Sequence, residues 1–284
     1  MRKFRVLALA ALLLLSSTGA MAGPKVAASY GDGAVVFRLA TGSPGELGLL
    51  QQLGEAYCAK AGCRLDWVKA GSGQSLDLLK AGDVDMIMVH APAAEEKAVA
   101  AGWAGCRTLL GSNEFFIVGP AADPAGIAKA GSAADAYRDI AKAKARFFSR
   151  GDNSGTHKKE LAIWKAAGIT PSGDWYVVTK DFMTATLKRA NDEGGYFMTD
   201  SSTWAAEQKN MPKLKVLFSG DKKLVNTYHA LCGQKDGKPA SAMAAGFITF
   251  VASPDGQAII GNFGKDKHGQ PLYNDAAYAK KYVD

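Results

Sequence analysis

The sequence predicts an α/β fold with two lobes joined by strands that cross between them, and three observations support this prediction. β-rich runs alternate with helical stretches, the alternation falls into two separate series, and no flexible linker, internal repeat or low-complexity tract separates the series. Strands and helices that alternate at this spacing are typical of parallel βαβ units. About 260 residues follow the amino-terminal segment, enough to bury one large core or two smaller ones.

The first series is defined by short apolar runs, each followed by a stretch with helical composition. Residues 85–89, Asp-Met-Ile-Met-Val, are the most continuous of these runs and indicate a buried strand. The predicted strands are at 35–39, 65–68, 85–89 and 114–118, and the predicted helices are at 44–61, 74–81 and 93–101.

The second series repeats the pattern, and the carboxyl-terminal part then returns to helix. The predicted strands are at 145–149, 175–178, 195–198, 214–218 and 228–231, and the predicted helices are at 156–167, 183–193, 241–253 and 255–261. Two lobes connected by crossing strands need no linker, so we expect the chain to cross outward at 115–119 and to return at 226–231. The predicted first lobe is 23–116 with 229–284, and the second is 117–228.

Residues 1–22 have the features of a secretory signal peptide. Arg2, Lys3 and Arg5 precede an apolar run, and Ala20-Met21-Ala22 is a small-x-small cleavage site. The apolar run is shorter than the roughly 20 residues that span a bilayer. We therefore expect an exported, periplasmic protein that begins near Gly23.

The charge balance argues against a nucleic-acid partner. Loss of the three basic leader residues lowers the formal net charge from +7 to +4, and the remaining basic residues are scattered rather than clustered.

Four cysteines in an exported chain indicate two disulfides, for which three pairings exist. Gly62 follows a predicted helix at the position of a left-handed cap, where the next residue contacts the one five positions earlier. Those residues are Cys63 and Cys58, so we favour Cys58–Cys63 and, by elimination, Cys106–Cys232. Metal binding is the weaker alternative, because no pair has the usual two-residue spacing and His is scarce.

Three turns rich in glycine and hydroxyl groups lie between a strand and a helix, where open α/β sheets bind ligands. In the first, residues 40–46, Ser43 can cap its helix in a capping box with Glu46, or can contact a ligand together with Thr41. The second turn is residues 71–75, whose glycines allow close backbone approach to a ligand.

The third turn, residues 148–157, combines Arg150 with a helix amino terminus. A guanidinium and the N–H groups of a helix start are both suited to an oxyanion. Asp152 cannot face an anion while ionised, so we expect it to orient Arg150 or neighbouring N–H groups. His157 has either a structural or a functional role, and the structural one is the more common.

At these residues the chain resembles the tungstate-binding component of bacterial ABC transporters, in the type II periplasmic-binding-protein superfamily. The resemblance is carried by residues 69–74, 89–97 and 149–160, and it extends more weakly over nearly the whole mature chain. It implies two α/β lobes, a two-stranded hinge, closure on the ligand and delivery to a permease in the inner membrane. It also implies ligand contacts at Thr41, Ser43, Ser72, Arg150, Ser154 and Thr156, with a later contact near Asp200 to Thr203.

The chain departs from the family pattern at three places. Ala40 and Gly42 replace hydroxyl residues of the first turn, Ser201 stands where an Arg is expected, and Phe182 introduces bulk in place of a glycine.

We predict a monomeric binding protein for a small oxyanion such as tungstate or molybdate, without a cofactor or a metal site of its own. A different ligand, such as an organic acid, is the second hypothesis. A periplasmic enzyme using Asp152, Ser154 and His157 is the third, and their confinement to one short turn argues against it.

Overall fold

The structure is a computed structural model that describes residues 23–283. The predicted signal peptide therefore lies outside the described residues. No helix in the described range is long and apolar enough to cross a membrane.

The strands, in chain order, are β1 Val26–Tyr30, β2 Val35–Thr41, β3 Cys63–Lys69, β4 Met86–Val89, β5 Ala104–Pro120, β6 Phe147–Ser149, β7 Tyr176–Val178, β8 Tyr196–Asp200, β9 Leu214–Phe218, β10 Val225–Lys235, β11 Lys238–Pro239 and β12 Asn274–Asp275. The α-helices are α1 Ser43–Glu46, α2 Leu49–Ala61, α3 Ser72–Ala81, α4 Pro92–Ala100, α5 Ala133–Ala143, α6 Gly155–Ala166, α7 Met183–Glu193, α8 Ser201–Glu207, α9 Ala242–Ala252, α10 Pro254–Asn262, α11 Lys265–His268 and α12 Ala276–Ala279. Short 3₁₀ helices are at Ile127–Lys129, Gln208–Asn210, Lys222–Leu224 and Lys280–Tyr282.

One group of strands, which we call the first lobe, is ordered β1-β3-β2-β4-β10-β5. Strand β2 pairs in parallel with β3 and β4, as the βαβ pattern predicts. Apolar side chains are buried on both faces of this sheet: Phe37 and Leu39 belong to one cluster, and Ala40 and Ile87 belong to another. Burial on both faces explains why residues 86–89 are continuously apolar.

The second group of strands, the second lobe, is ordered β5-β8-β6-β7, with β9 also paired to β5. Its core contains Tyr137 of α5, Phe147 of β6 and Trp164 of α6, whose rings lie close together. The ring centroids of Tyr137 and Trp164 are 4.3 Å apart, and those of Phe147 and Trp164 are 5.3 Å apart. Each lobe therefore has its own apolar core.

Strand β5 passes from one lobe to the other without a break. Glu114 pairs with Val225 of β10 in the first lobe, and Phe115 pairs with Asp200 of β8 in the second. The sequence predicted only the second part of this strand, because small and polar residues interrupt its apolar pattern before Glu114. Gly111 is one of them: an added Cβ would lie 2.3 Å from the Asn274 carbonyl oxygen of β12.

The single helix predicted at 44–61 is wrong, since the structure divides it into α1 and α2 at Gly48, which has a φ of 94°. The predicted capping box is also wrong. Gly42, not Ser43, precedes α1, and no side chain caps that helix among the described residues. The Glu46 carboxylate instead pairs with Lys69 Nζ at 2.6 Å, because the end of β3 brings a cation beside it.

Both predicted disulfides are confirmed. Gly62 adopts a φ of 63° after α2 and its N–H donates to the Cys58 carbonyl oxygen, which places Cys63 against Cys58. Cys106 and Cys232 join β5 to β10 within the first lobe. The other predicted strands and helices are present with shifted ends. The elements that were not predicted are β1, β11, β12, α5, α8, α11 and α12.

Candidate functional site

The three glycine- and hydroxyl-rich turns converge on one cavity between the lobes. Thr41 and Ser43 come from the first turn, Ser72 from the second, and Arg150 and Ser154 from the third. The space that the centre of a water molecule could occupy in this cavity is about 10 Å³. The cavity is therefore small and polar, and both lobes contribute to its wall.

The first lobe supplies hydroxyl groups and the start of α3. Ser72 Oγ accepts a hydrogen bond from the His90 N–H at 3.3 Å, which leaves its own hydrogen available to a ligand. The N–H groups of the first turn of α3 have no acceptor within the helix. Thr41 differs, since its hydroxyl donates to the Met88 carbonyl oxygen at 2.8 Å. In this arrangement Thr41 lines the cavity without a free hydroxyl hydrogen.

The second lobe supplies the positive charge. Arg150, at the end of β6, is only 4% exposed, so it is not an ordinary surface arginine. Its Nη2 donates to Asp152 Oδ2 at 2.5 Å, and its Nε donates to the Asp181 carbonyl oxygen at 3.2 Å. No protein acceptor bonds its Nη1 within residues 23–283. The guanidinium is thus held in place with donor capacity remaining for an anion.

Asp152 has the orienting role that the sequence predicted. Besides its contact with Arg150, its Oδ1 accepts a hydrogen bond from the Ser154 N–H at 3.1 Å. Gly151 and Asn153 both adopt left-handed backbone conformations, with φ of 60° and 59°, and so shape this turn. Ser154 then caps α6 by accepting a hydrogen bond from the His157 N–H at 3.2 Å.

Two predicted ligand residues, Thr156 and Thr203, do not line the cavity. Thr156 is buried in the first turn of α6, and its Oγ1 has no hydrogen-bond partner among residues 23–283. Thr203 donates through both its N–H and its Oγ1 to Asp200, at 2.9 and 2.7 Å.

The lobes approach each other closely where glycines face residues of the opposite lobe. A Cβ added to Gly155 of α6 would lie 2.5 Å from His90 Cε1, and one added to Gly73 of α3 would lie 2.4 Å from Asn153 Nδ2. Gly71 faces Ser154 in the same way, at 3.1 Å. The absence of side chains at these positions allows the two helix amino termini to meet across the cavity.

His90 lies in the cavity wall at the end of β4 and was not predicted as a site residue. Burial lowers the pKa of His90 to about 4, so the ring is neutral at pH 7. Its Nδ1 is 2.8 Å from Asn226 Oδ1. Asn226 in turn donates to Asn113 Oδ1, and Asn113 donates to Asp200. This buried polar chain runs through β10 and β5.

Other wall residues were also missed, and only some had a sequence signal. His90 follows a buried strand, so the rule for strand ends was sufficient to find it. Tyr228 lies inside β10, and its ring is tilted against that of His90 with a centroid distance of 5.0 Å, which no local motif indicates. Phe182 was noticed only as a departure from the family pattern.

Glu160 of α6 lies behind the site and predicts a pH dependence of stability. Burial raises the pKa of Glu160 to about 7, although Tyr176 Oη and Trp164 Nε1 donate to its Oε1 at 2.7 and 3.2 Å. A raised carboxyl pKa means that the folded protein binds more protons than the unfolded chain between pH 4.5 and about 7. The contribution of Glu160 to stability should therefore be complete below pH 4.5 and be lost as pH rises from 4.5 to about 7, by about 3 kcal/mol at about 1.4 kcal/mol per pKa unit.

Glu160→Gln should remove this loss, since the amide oxygen can still accept both hydrogen bonds. Thermal melts from pH 5 to pH 8 should show the variant gaining on the wild type as pH rises. Glu96→Gln, which changes an exposed carboxylate, is the matched control. Parallel curves for wild type and Glu160→Gln would contradict the assignment.

An α/β protein with two lobes, a strand that crosses between them and a polar interlobe cavity has the architecture of a periplasmic binding protein. The family model described as a PBP superfamily domain matches residues 28–255. The tungstate-binding protein TupA of Peptoclostridium acidaminophilum is 34% identical over 275 residues, which are 94% of this chain and 95% of that protein. The chain belongs to the PBP superfamily and, within it, to the family of that relative, which confirms the resemblance found in the sequence.

Two solved structures are similar over most of the chain. The tungstate ABC transporter structure from Geobacter sulfurreducens is 37% identical, covers 82% of this chain and 100% of that chain, and has a TM-score of 0.73. The tungstate binding protein TupA from Desulfovibrio alaskensis G20 is 40% identical, covers 85% and 99%, and has a TM-score of 0.69. These similarities confirm the predicted fold class.

Proposed function

We propose that this protein is the periplasmic solute-binding component of an ABC importer and captures a small oxyanion between its lobes. The observation that carries the proposal is the buried Arg150, whose Nη1 has no protein acceptor among the described residues, opposite the start of α3 across a small cavity. Donors from both lobes can then surround an anion that has lost its water. The relatives named as tungstate-binding proteins support tungstate as the ligand, and molybdate would present the same four oxygens to these donors.

The proposed contacts differ in what they contribute. Arg150 supplies charge, while Ser43, Ser72 and Ser154 supply hydroxyl hydrogens and the helix starts supply N–H groups. Thr41 fixes the backbone of the first turn through its bond to Met88. Thr156 and Thr203 act from behind the wall, by packing at the start of α6 and by holding Asp200.

Each part of the chain has a role in the proposed function. Residues 1–22 direct export, 23–116 with 229–284 form one lobe, and 117–228 form the other. The monomer delivers its ligand to a permease in the inner membrane and performs no catalysis. The naming of relatives as binding proteins of transporters supports this role.

A thermal-shift panel tests the ligand class. Tungstate and molybdate should raise the melting temperature more than sulfate, phosphate or citrate. The shift reports affinity, since a ligand at 100 times its Kd stabilises the folded state by about 2.7 kcal/mol. The small cavity predicts no response to citrate. If only the organic acid raised the melting temperature, the ligand would be an organic acid and not an oxyanion. Turnover of an ester or phosphate substrate would indicate an enzyme.

A further inference from the structure

Phe182 is a partly exposed residue of the cavity wall, and groups from both lobes contact it. It is the residue before α7, and its ring forms part of the wall beside Arg150. Nζ of Lys69, from the end of β3 in the first lobe, is 4.3 Å from the ring centroid. Cζ of Arg150, from the second lobe, is 5.6 Å from the same centroid. One aromatic ring therefore contacts a cation from each lobe, within the range of cation–π attraction.

Further contacts hold both cations in position. Lys69 Nζ pairs with Glu46 Oε1 at 2.6 Å, and the Glu46 side chain is 17% exposed. Arg150 Nε donates to the carbonyl oxygen of Asp181, the residue that precedes Phe182. The Arg150 guanidinium and the backbone that carries the ring are thus fixed to each other. The ring in turn connects this unit to Lys69 and Glu46 of the opposite lobe.

The ring also occupies volume next to the group that would bind the ligand. About 10 Å³ of the cavity is open to the centre of a water-sized particle, and Phe182 is one of its walls. A smaller side chain would enlarge the cavity and admit water to the guanidinium. Both changes favour larger anions over a small one that needs complete desolvation.

We infer that Phe182 is a specificity-determining residue that closes the cavity: its ring holds the lobes together through Lys69 and restricts the ligand to a small oxyanion. This inference rests on the proposed function. The Phe182 side chain then both slows ligand release and excludes larger anions. Because the contact joins the lobes without involving the ligand, it also favours closure of the ligand-free protein.

Stopped-flow kinetics with tungstate test the contact with Lys69. Phe182→Ala should raise the dissociation rate by about tenfold or more, with a smaller change in association rate, since a cation–π contact corresponds to about two- to thirtyfold in affinity. Phe182→Leu keeps most of the volume but loses the ring face, so it should also raise the dissociation rate, as should Lys69→Met. Because the two variants share the loss of the Lys69–Phe182 contact, combining them should raise the rate by less than the product of the two single effects. Lys80→Met removes a contact of the same kind, 6.0 Å from the Trp103 ring within the first lobe, and is the control.

Titration of the same variants with malonate tests the size limit. Phe182→Ala should raise the affinity for malonate relative to tungstate by about tenfold, whereas Phe182→Leu should leave that ratio close to the wild-type value. Unchanged dissociation rates in Phe182→Ala and Lys69→Met, or an unchanged ratio in Phe182→Ala, would overturn the inference.

Small-angle scattering of the ligand-free proteins separates this inference from the proposed function. If the wild type binds no oxyanion, the proposed function fails and scattering alone decides the role of the ring. Phe182→Ala and Lys69→Met should have a larger radius of gyration than the wild type and Lys80→Met. Equal radii would overturn the inference.

Discussion

Arg150→Ala should weaken oxyanion binding by about a hundredfold or more, the largest effect that we expect of any single substitution. The change removes a charged donor and also leaves Asp152 unpaired, with a side chain that is only 18% exposed. Truncating one partner of a buried charge pair at a binding site costs roughly 2–5 kcal/mol. Titration calorimetry measures the loss, and circular dichroism checks that the variant is folded.

Two further variants divide this effect between its causes. Arg150→Lys keeps the charge but loses the planar fork, so its affinity should be intermediate. In Arg150→Ala combined with Asp152→Ala the unpaired carboxylate is absent, so part of the affinity should return. Wild-type affinity in Arg150→Ala would remove Arg150 from the ligand site.

Gly155→Ala should weaken binding by about tenfold or more without destabilising the ligand-free protein. The added Cβ would lie 2.5 Å from His90 across the cleft, a separation that real Cβ atoms essentially never show, so the lobes could not close fully. Gly155 is the first residue of α6 and its φ is not positive, so alanine fits the backbone there without strain in the ligand-free protein. Affinity and melting temperature should therefore change independently.

Gly73→Ala tests the same closure from the other lobe, through the contact with Asn153. Gly131→Ala is the matched control, because its Cβ would make only an ordinary contact with Asp135 at 3.5 Å. Calorimetric titration and thermal melts of all three variants give the comparison. Tight binding by both Gly155→Ala and Gly73→Ala would show that these contacts are not required for the bound state.

Features with local physical causes were predictable from the sequence. The left-handed glycine at the end of α2 indicated the Cys58–Cys63 bond, and residue 152 follows the arginine so closely that their pairing could be expected. The βαβ alternation predicted the α/β fold, since parallel strands buried on both faces form continuous apolar runs.

Features that depend on residues distant in sequence were not predictable. Strand β5 contains glycine and polar residues because β10 and β12 pack against it, so its own pattern does not indicate a strand. The division between α1 and α2, and the pairing of Glu46 with Lys69, follow from the position of β3. The positions of Tyr228 and Phe182 in the cavity wall likewise depend on how the two lobes meet.

The most direct test of the account is the anomalous scattering of tungsten in a crystal of the protein grown with tungstate. We predict one strong peak in the cavity between Ser72 and Arg150, with Nη1 of Arg150 and donors from both lobes within hydrogen-bond distance of the anion. A bound anion at another place, with Arg150 making no contact to it, would contradict the proposed site.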